Sequence, residues 1–117
     1  MHIARGADRP PAVRPHPLPS LQRLVDRAAG SASMTVLRND LFRGQAVPEH
    51  SHDVEEVLIV TAGAVQVEVA GSAEIVDAGD AVIVPAHTAH SFRHALDEPA
   101  TVFAVLASPD VTISTPS

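Results

Sequence analysis

The sequence predicts an all-β domain, a sandwich or a barrel made of about eight or nine short strands. Apolar runs of strand length alternate with glycine-, proline- and aspartate-containing turns about every eight to twelve residues. The clearest alternation is in residues 64–70, where Val65, Val67 and Val69 share one face and Gln66 and Glu68 share the other. Such a period of two is typical of a strand with one buried and one solvated face.

The individual strands are predicted from this period and from the turns that interrupt it. Gly44 follows the first strand, and Gly63 ends the second with a tight reversal. The continuously apolar residues 81–84 predict a strand that is buried on both faces. In chain order, the predicted strands are residues 34–43, 54–60, 64–70, 74–76, 81–84, 90–95 and 100–107, followed by a weakly strand-like tail at 109–117.

The N-terminal region has a different character and is predicted to lie outside the barrel. Residues 1–19 contain five of the ten prolines and should be extended or disordered. Ser20 is a suitable helix N-cap and Gly30 a suitable helix end. The apolar residues between them fall at helical spacing, which predicts a short amphipathic helix over about residues 20–29. We therefore divide the chain into an arm and helix (1–32) and a barrel (33–117).

Composition limits the chemistry that this chain can perform. With 117 residues it forms one domain, and the sequence contains no Lys, Tyr, Trp or Cys. A lysine Schiff base, a thiolate nucleophile and a tyrosine general acid are thereby excluded, so a metal ion would have to carry any demanding reaction.

The charge and hydropathy patterns exclude several classes of partner. The net charge of −6 disfavours nonspecific binding to nucleic acid or anionic membranes. No helix-turn-helix pattern, membrane-spanning run or signal-peptide pattern is present, so the expected location is the cytoplasm. Residues 1–43 hold seven of the eight arginines, whereas residues 44–117 hold eleven acids. Either the basic arm lies on the acidic barrel, its own or a partner's, or both are solvated surfaces.

A group of histidines and one glutamate is the strongest functional signal. His50 and His52 are two residues apart, Glu56 is four residues further on, and Gly44 and Gly63 flank the three. On extended backbone the three side chains share parity and can point the same way. Imidazole and carboxylate together suit divalent Fe, Mn, Ni, Cu or Zn. The alternative is a solvated histidine pair in a loop.

These five positions match every fixed position of the first motif of the cupin superfamily, G-x5-H-x-H-x3-E-x6-G. The chain also resembles the second cupin motif, G-x5-P-x-G-x2-H-x3-N, at Gly79, Pro85 and His90. It departs from that motif at His87, where the family has glycine, and at His94, where it has asparagine. The resemblance covers roughly residues 33–110.

The resemblance implies an antiparallel jelly-roll barrel, or double-stranded β-helix, with a metal ion inside one mouth. It implies that His50, His52, Glu56 and His90 hold one divalent transition metal ion. His87, in the turn after the strand at 81–84, is interpreted as a structural or rim residue.

Four further residues are candidates for the pocket. Phe92 would form an apolar wall, and His94 shares parity with His90 and should face the interior. His94 is then either a core residue or a catalytic group that moves a proton. Arg38 and Arg43 either hold a substrate carboxylate or are solvated.

Two functions remain open at this stage. The first is a metal-dependent enzyme of dioxygenase, isomerase, lyase or decarboxylase type that acts on a small organic molecule. The second is a noncatalytic protein that binds a metal or a small ligand. The resemblance also implies a homodimer, and the outward-facing apolar residues Val57 and Ile59 favour one.

Overall fold

The computed structural model describes residues 1–116, which form nine β-strands and one short turn of 3-10 helix at Gly6–Asp8. No helix in this described part of the chain is long or apolar enough to span a membrane. The strands are β1 (Ser20–Val25), β2 (Thr35–Leu41), β3 (Ala46–His50), β4 (Glu56–Ala62), β5 (Ala64–Val69), β6 (Ser72–Asp77), β7 (Ala81–Val84), β8 (His90–Ala95) and β9 (Ala100–Leu106).

The strands form two antiparallel sheets whose inner faces enclose the core. One sheet has five strands in the order β1-β2-β9-β4-β7, and the other has four in the order β3-β8-β5-β6. Every pairing between neighbouring strands is antiparallel. The predicted all-β jelly-roll architecture is therefore confirmed.

Regular alternation along the strands creates the core. In β9 every second residue from Ala100 to Leu106 is buried, and β4 alternates in the same way from Glu56 to Val60. The four-stranded sheet contributes Val65, Val67 and Phe92 to the same cluster, which confirms the alternation predicted for residues 64–70. Each fully buried side chain of this size contributes about 1.5–3 kcal/mol of hydrophobic stabilisation.

The predicted helix at residues 20–29 is wrong, because residues 20–25 are strand β1. This strand pairs with β2 and covers an edge that would otherwise expose unpaired backbone groups. A register shift between Arg23 and Val25 interrupts the period of two, so the apolar residues acquire a spacing that resembles that of a helix. Pairing with β2 thus overrides the local pattern.

Two details of the predicted strands also need correction. The strand at 81–84 is not buried on both faces, because β7 lies at a sheet edge and Ile83 is 67% exposed. Strand β3 is absent from the predicted set, and Pro48 lies in its middle. Proline is tolerated there because β3 is also an edge strand, and its register shifts between Val47 and His50.

The N-terminal arm lies against its own chain. Ala12 forms an isolated antiparallel bridge with Leu21 of β1, and Arg9 forms an ion pair with Asp26 at 2.9 Å. Two more ion pairs join the basic N-terminal region to the acidic barrel: Arg27 with Asp110 and Arg43 with Asp97. These last two pairs are exposed and contribute little stability.

The turn at Gly63 shows why glycine is needed at that position. Its φ is 66°, and a Cβ atom there would lie 2.4 Å from the Pro99 carbonyl oxygen and 2.9 Å from Ala100 Cα. Both contacts are with backbone that is fixed by β9, so the clash cannot be relieved by rotation of a side chain. The β4–β5 turn and the start of β9 can approach this closely only because residue 63 lacks a side chain.

We expect Gly63→Ala to lower the free energy of unfolding by about 2 kcal/mol or more, since strain at positive φ adds to a backbone clash. Gly71→Ala is the matched control, because its φ is 83° but no atom lies within 4 Å of an added Cβ. That control should lose only about 1 kcal/mol. Urea denaturation followed by circular dichroism measures both values. Equal losses would show that the contact with Pro99 is unimportant.

Candidate metal centre

Four predicted ligands come together at one end of the barrel, between the two sheets. His50 ends β3 and His90 begins β8, and the two residues are partners across these neighbouring strands. Glu56 begins β4 in the opposite sheet, and His52 lies in the connection between β3 and β4. One ligand atom from each residue lies within 4.8 Å of all the others.

The route by which the chain brings the ligands together differs from the predicted one. Shared parity on a single strand is not what aligns His50, His52 and Glu56, because the chain leaves one sheet after His50 and enters the other at Glu56. The cluster depends on the packing of two sheets, so it forms only in the folded barrel. His52, Glu56 and His90 are only 5%, 3% and 1% exposed, whereas His50 is half-buried.

Backbone carbonyl groups fix the orientation of all three imidazole rings. Each Nδ1 lies within hydrogen-bond distance of a carbonyl oxygen, which can only accept, so each Nδ1 carries the proton and donates it. The lone pair of each neutral ring is then on Nε2. The pairs are His50 with Pro48 at 2.8 Å, His52 with Thr112 at 2.8 Å and His90 with Thr88 at 2.9 Å.

The Glu56 carboxylate faces two of these rings. Its Oε2 is 3.5 Å from His52 Nε2, and its Oε1 is 2.7 Å from His90 Nε2. The shorter contact is close but misaligned, so that Oε1 and Nε2 are both buried without a well-formed hydrogen bond. Buried polar atoms without such partners are rare in folded proteins, and a shared cation between them would satisfy both. The donor set therefore fits a divalent transition metal ion.

The surroundings of the site shift the pKa values of His50 and His90 in opposite directions. Burial lowers the pKa of His50, although the Pro48 carbonyl opposes the shift. Burial also acts to lower the pKa of His90, but the Glu56 carboxylate and the Thr88 carbonyl together raise it above its ordinary value. Of these two rings, His50 is thus held more firmly in the neutral form that binds metals.

His87, which occupies the glycine position of the second motif, supports the site through its backbone. Its N–H donates to the His52 carbonyl at 2.7 Å, and its own side chain is exposed. Its φ is 60°, the left-handed conformation that glycine adopts most easily. The backbone geometry of the motif is kept without the glycine, and the interpretation of His87 as a structural or rim residue stays a prediction.

Three further predicted pocket residues have packing or ion-pair partners of their own. Phe92 is 4% exposed and belongs to the hydrophobic core. Arg38 lies on the outer face of its sheet, paired with Asp40 and 5.7 Å from the centroid of the Phe103 ring. Arg43 is exposed and lies beside Asp97. Neither arginine is placed to hold a substrate at the metal centre.

His94 shares the inward parity of His90 but lies at the opposite end of the barrel. Its Nε2 is within hydrogen-bond distance of the Glu98 carbonyl, and its ring is 6.1 Å from that of Phe42. Four residues of extended strand separate it from His90 by about 13 Å. These contacts favour a role in closing the far end of the barrel. A catalytic role for His94 stays a prediction.

The support that sequence reasoning missed comes from the end of the chain. The Thr112 carbonyl orients His52, and residues 114–116 line a cavity of about 290 Å³ that also contacts His50, Glu49 and Ser51. A carbonyl group belongs to every residue, so no residue type could reveal this role. The only signal was the weak strand pattern of residues 109–117, which corresponds to the isolated bridge between Ser51 and Ser114.

The chain is similar to known proteins in both sequence and fold. A family model described as "Cupin domain" matches residues 41–106, which include all four clustered residues. A search of curated protein sequences finds no significant match.

Solved structures with this fold have about one residue in five in common with the chain. KdgF from Halomonas sp. has a TM-score of 0.76 at 19% identity, over 91% of this chain and 94% of that one. The polyketide cyclase RemF from Streptomyces resistomycificus has a TM-score of 0.79 at 19% identity, over 100% and 86%. A predicted oxalate decarboxylase from Thermotoga maritima has a TM-score of 0.77 at 19% identity, over 91% and 98%.

We expect one divalent metal ion per chain, and its affinity should fall by more than about 100-fold in His52→Ala and in Glu56→Gln. Loss of a ligand should cost more than the 10–100-fold typical of residues that only support ligands. His87→Ala is the control, because its side chain lies outside the cluster. Metal titration followed by elemental analysis of dialysed protein measures the effect. Full metal content in His52→Ala would contradict this ligand assignment.

Proposed function

The chain belongs to the cupin family, and we propose that it is a metal-dependent enzyme that acts on a small organic molecule. One observation carries the proposal: three imidazole rings, each fixed by an Nδ1–H that donates to a backbone carbonyl, cluster with a buried carboxylate. Four such ligands leave about two positions of an octahedral ion open to a substrate or water. An open, accessible metal is the arrangement that catalysis requires.

The cavity beside His50 is the proposed substrate site. His50 is the only half-buried member of the cluster, so it faces the route from solvent to the ion. The residues that line the cavity include Ser51, Ser114, Thr115 and Glu49, and no arginine is among them. This polarity favours an uncharged molecule with hydroxyl or carbonyl oxygens over a dianion.

The side chains around the site support this chemistry in separate ways. A bound divalent ion would act as a Lewis acid on an oxygen atom of the substrate. Glu56 offsets part of the positive charge, and the carbonyl groups that accept from Nδ1 keep the three rings oriented. The packed apolar core below the site, which includes Leu58, Val84 and Leu106, excludes water from its inner side.

The names of structural relatives support small-molecule chemistry but do not select a reaction. Two of them are named as a polyketide cyclase and a predicted oxalate decarboxylase. The dioxygenase, isomerase, lyase and decarboxylase classes predicted from the resemblance all remain candidates. The alternative is a noncatalytic protein that binds a metal or a small ligand.

A screen of small hydroxy and keto compounds, with and without dioxygen, distinguishes these functions. The enzyme proposal expects turnover that is lost with a chelator, restored by one equivalent of metal and absent in His52→Ala. His94→Asn should keep the metal, and its turnover tests the catalytic prediction for that residue. Tight metal binding without turnover of any compound would favour the noncatalytic protein instead.

We further propose that two chains associate through the outer face of the five-stranded sheet. Val57, Ile59 and Phe103 lie on that face and are only partly buried. The sequence predicts this outward orientation for Val57 and Ile59. Ile83 extends this apolar surface to the edge strand β7. An exposed edge beside an apolar face is commonly covered in folded proteins, and a second copy would cover it symmetrically.

Light scattering should give twice the 12.2 kDa chain mass at micromolar concentration. Ile83→Asp should convert this species to a monomer, because it places a charge in the apolar contact. Leu96→Asp introduces the same charge at an exposed residue in the β8–β9 turn and should leave the mass unchanged. A monomer mass for the unmodified protein would contradict the proposal.

A further inference from the structure

Residues 111–116 run beside the metal centre although they lie outside both motifs. Ser114 and Ser51 exchange two backbone hydrogen bonds, each of 2.9 Å, and the Thr112 hydroxyl donates to the Asp53 carboxylate at 2.9 Å. Val111 packs against the hydrophobic core. Segment 111–116 is therefore held against the β3–β4 connection, which carries His52.

Of the three carbonyl groups that orient the imidazole rings, only that of Thr112 comes from a residue far along the chain from its histidine. Pro48 and Thr88 are each two residues from the histidine that they orient, so these two contacts are local. Thr112 is sixty residues from His52. His52 also lies in a connection and not in a strand, so it lacks the cross-strand pairing that holds His50 and His90.

We infer that segment 111–116 is a positioning element of the metal centre, which holds His52 in its ligating orientation through the Thr112 carbonyl. Without this acceptor the His52 ring loses the partner that fixes its tautomer and its rotation. The His87 N–H also donates to His52, but it holds only the backbone carbonyl of that residue. The inference rests on the proposed metal site and assigns part of its affinity to a segment remote in sequence.

The first experiment compares Co²⁺ affinity, by competition with a chelator, between the full chain and a chain that ends after Asp110. Asp110 is kept because it forms an ion pair with Arg27. The shortened chain should bind Co²⁺ about 10–100-fold more weakly, the usual effect of removing a partner of a ligating histidine. Thermal unfolding of the metal-free proteins checks that the shortened chain is folded.

A pair of substitutions at Ser114 tests the positioning of His52 in a chain that keeps segment 111–116. Ser114→Pro removes the N–H that donates to the Ser51 carbonyl, whereas Ser114→Ala keeps both backbone bonds. The proline variant should lose Co²⁺ affinity and the alanine variant should not. This pair keeps the inference testable if the shortened chain fails to fold.

Nuclear magnetic resonance of the Co²⁺ form provides a readout that a purely structural role would not change selectively. The full chain should show three exchangeable, hyperfine-shifted resonances, one for each Nδ1–H that donates to a carbonyl. The shortened chain should lose one, because the His52 proton becomes free to exchange with water. The resonances of His50 and His90 should remain.

The possible failures of the two proposals can be told apart. A full chain that binds Co²⁺ while the shortened chain and Ser114→Pro bind it equally well, with all three resonances intact, would overturn this inference alone. A full chain that binds no Co²⁺ would overturn the proposed metal site, and this inference with it.

Discussion

The orientation of three imidazole rings by backbone carbonyl groups is the constraint on which the site depends. A histidine can ligate through either ring nitrogen, so a cluster of histidines alone does not define where the lone pairs point. Here every Nδ1 is committed to a carbonyl oxygen, and every Nε2 is left for the centre of the cluster. The fold meets this requirement with one carbonyl from β3, one from the turn before β8 and one from near the end of the chain.

The two sheets have different roles at this site. The four-stranded sheet supplies His50 and His90 as cross-strand partners, so their relative position follows from strand register. The five-stranded sheet supplies Glu56 from β4, which is paired on both sides, and the Glu56 side chain is buried. The carboxylate is thus buried on the rigid side of the cluster, while the half-buried His50 lies on an edge strand that faces solvent. This asymmetry gives the site one closed and one accessible side.

The sequence predicted the barrel and the members of the cluster, but several of the physical reasons were different. The resemblance to the two cupin motifs implied that His50, His52, Glu56 and His90 form one site, and the structure brings these four residues together. Parity along one strand could not describe a cluster built across two sheets. The helix predicted at 20–29 failed because pairing with β2 is not visible in a local window. The role of the Thr112 carbonyl in orienting His52 could not be predicted, because every residue type has the same backbone carbonyl group.

Burial of Glu56 links the stability of the barrel to occupation of the site. A carboxylate that is 3% exposed needs compensating partners, and the side-chain nitrogens beside it are Nε2 of His90 and Nε2 of His52, at 2.7 Å and 3.5 Å. That arrangement is imperfect, because the Glu56 and His90 atoms approach closely without aligning. His50, His52, Glu56 and His90 would hold a divalent ion, whose charge would satisfy the two buried atoms of this contact. Because such an ion binds only the folded state, where the two sheets bring the ligands together, its binding free energy adds to the stability of the fold.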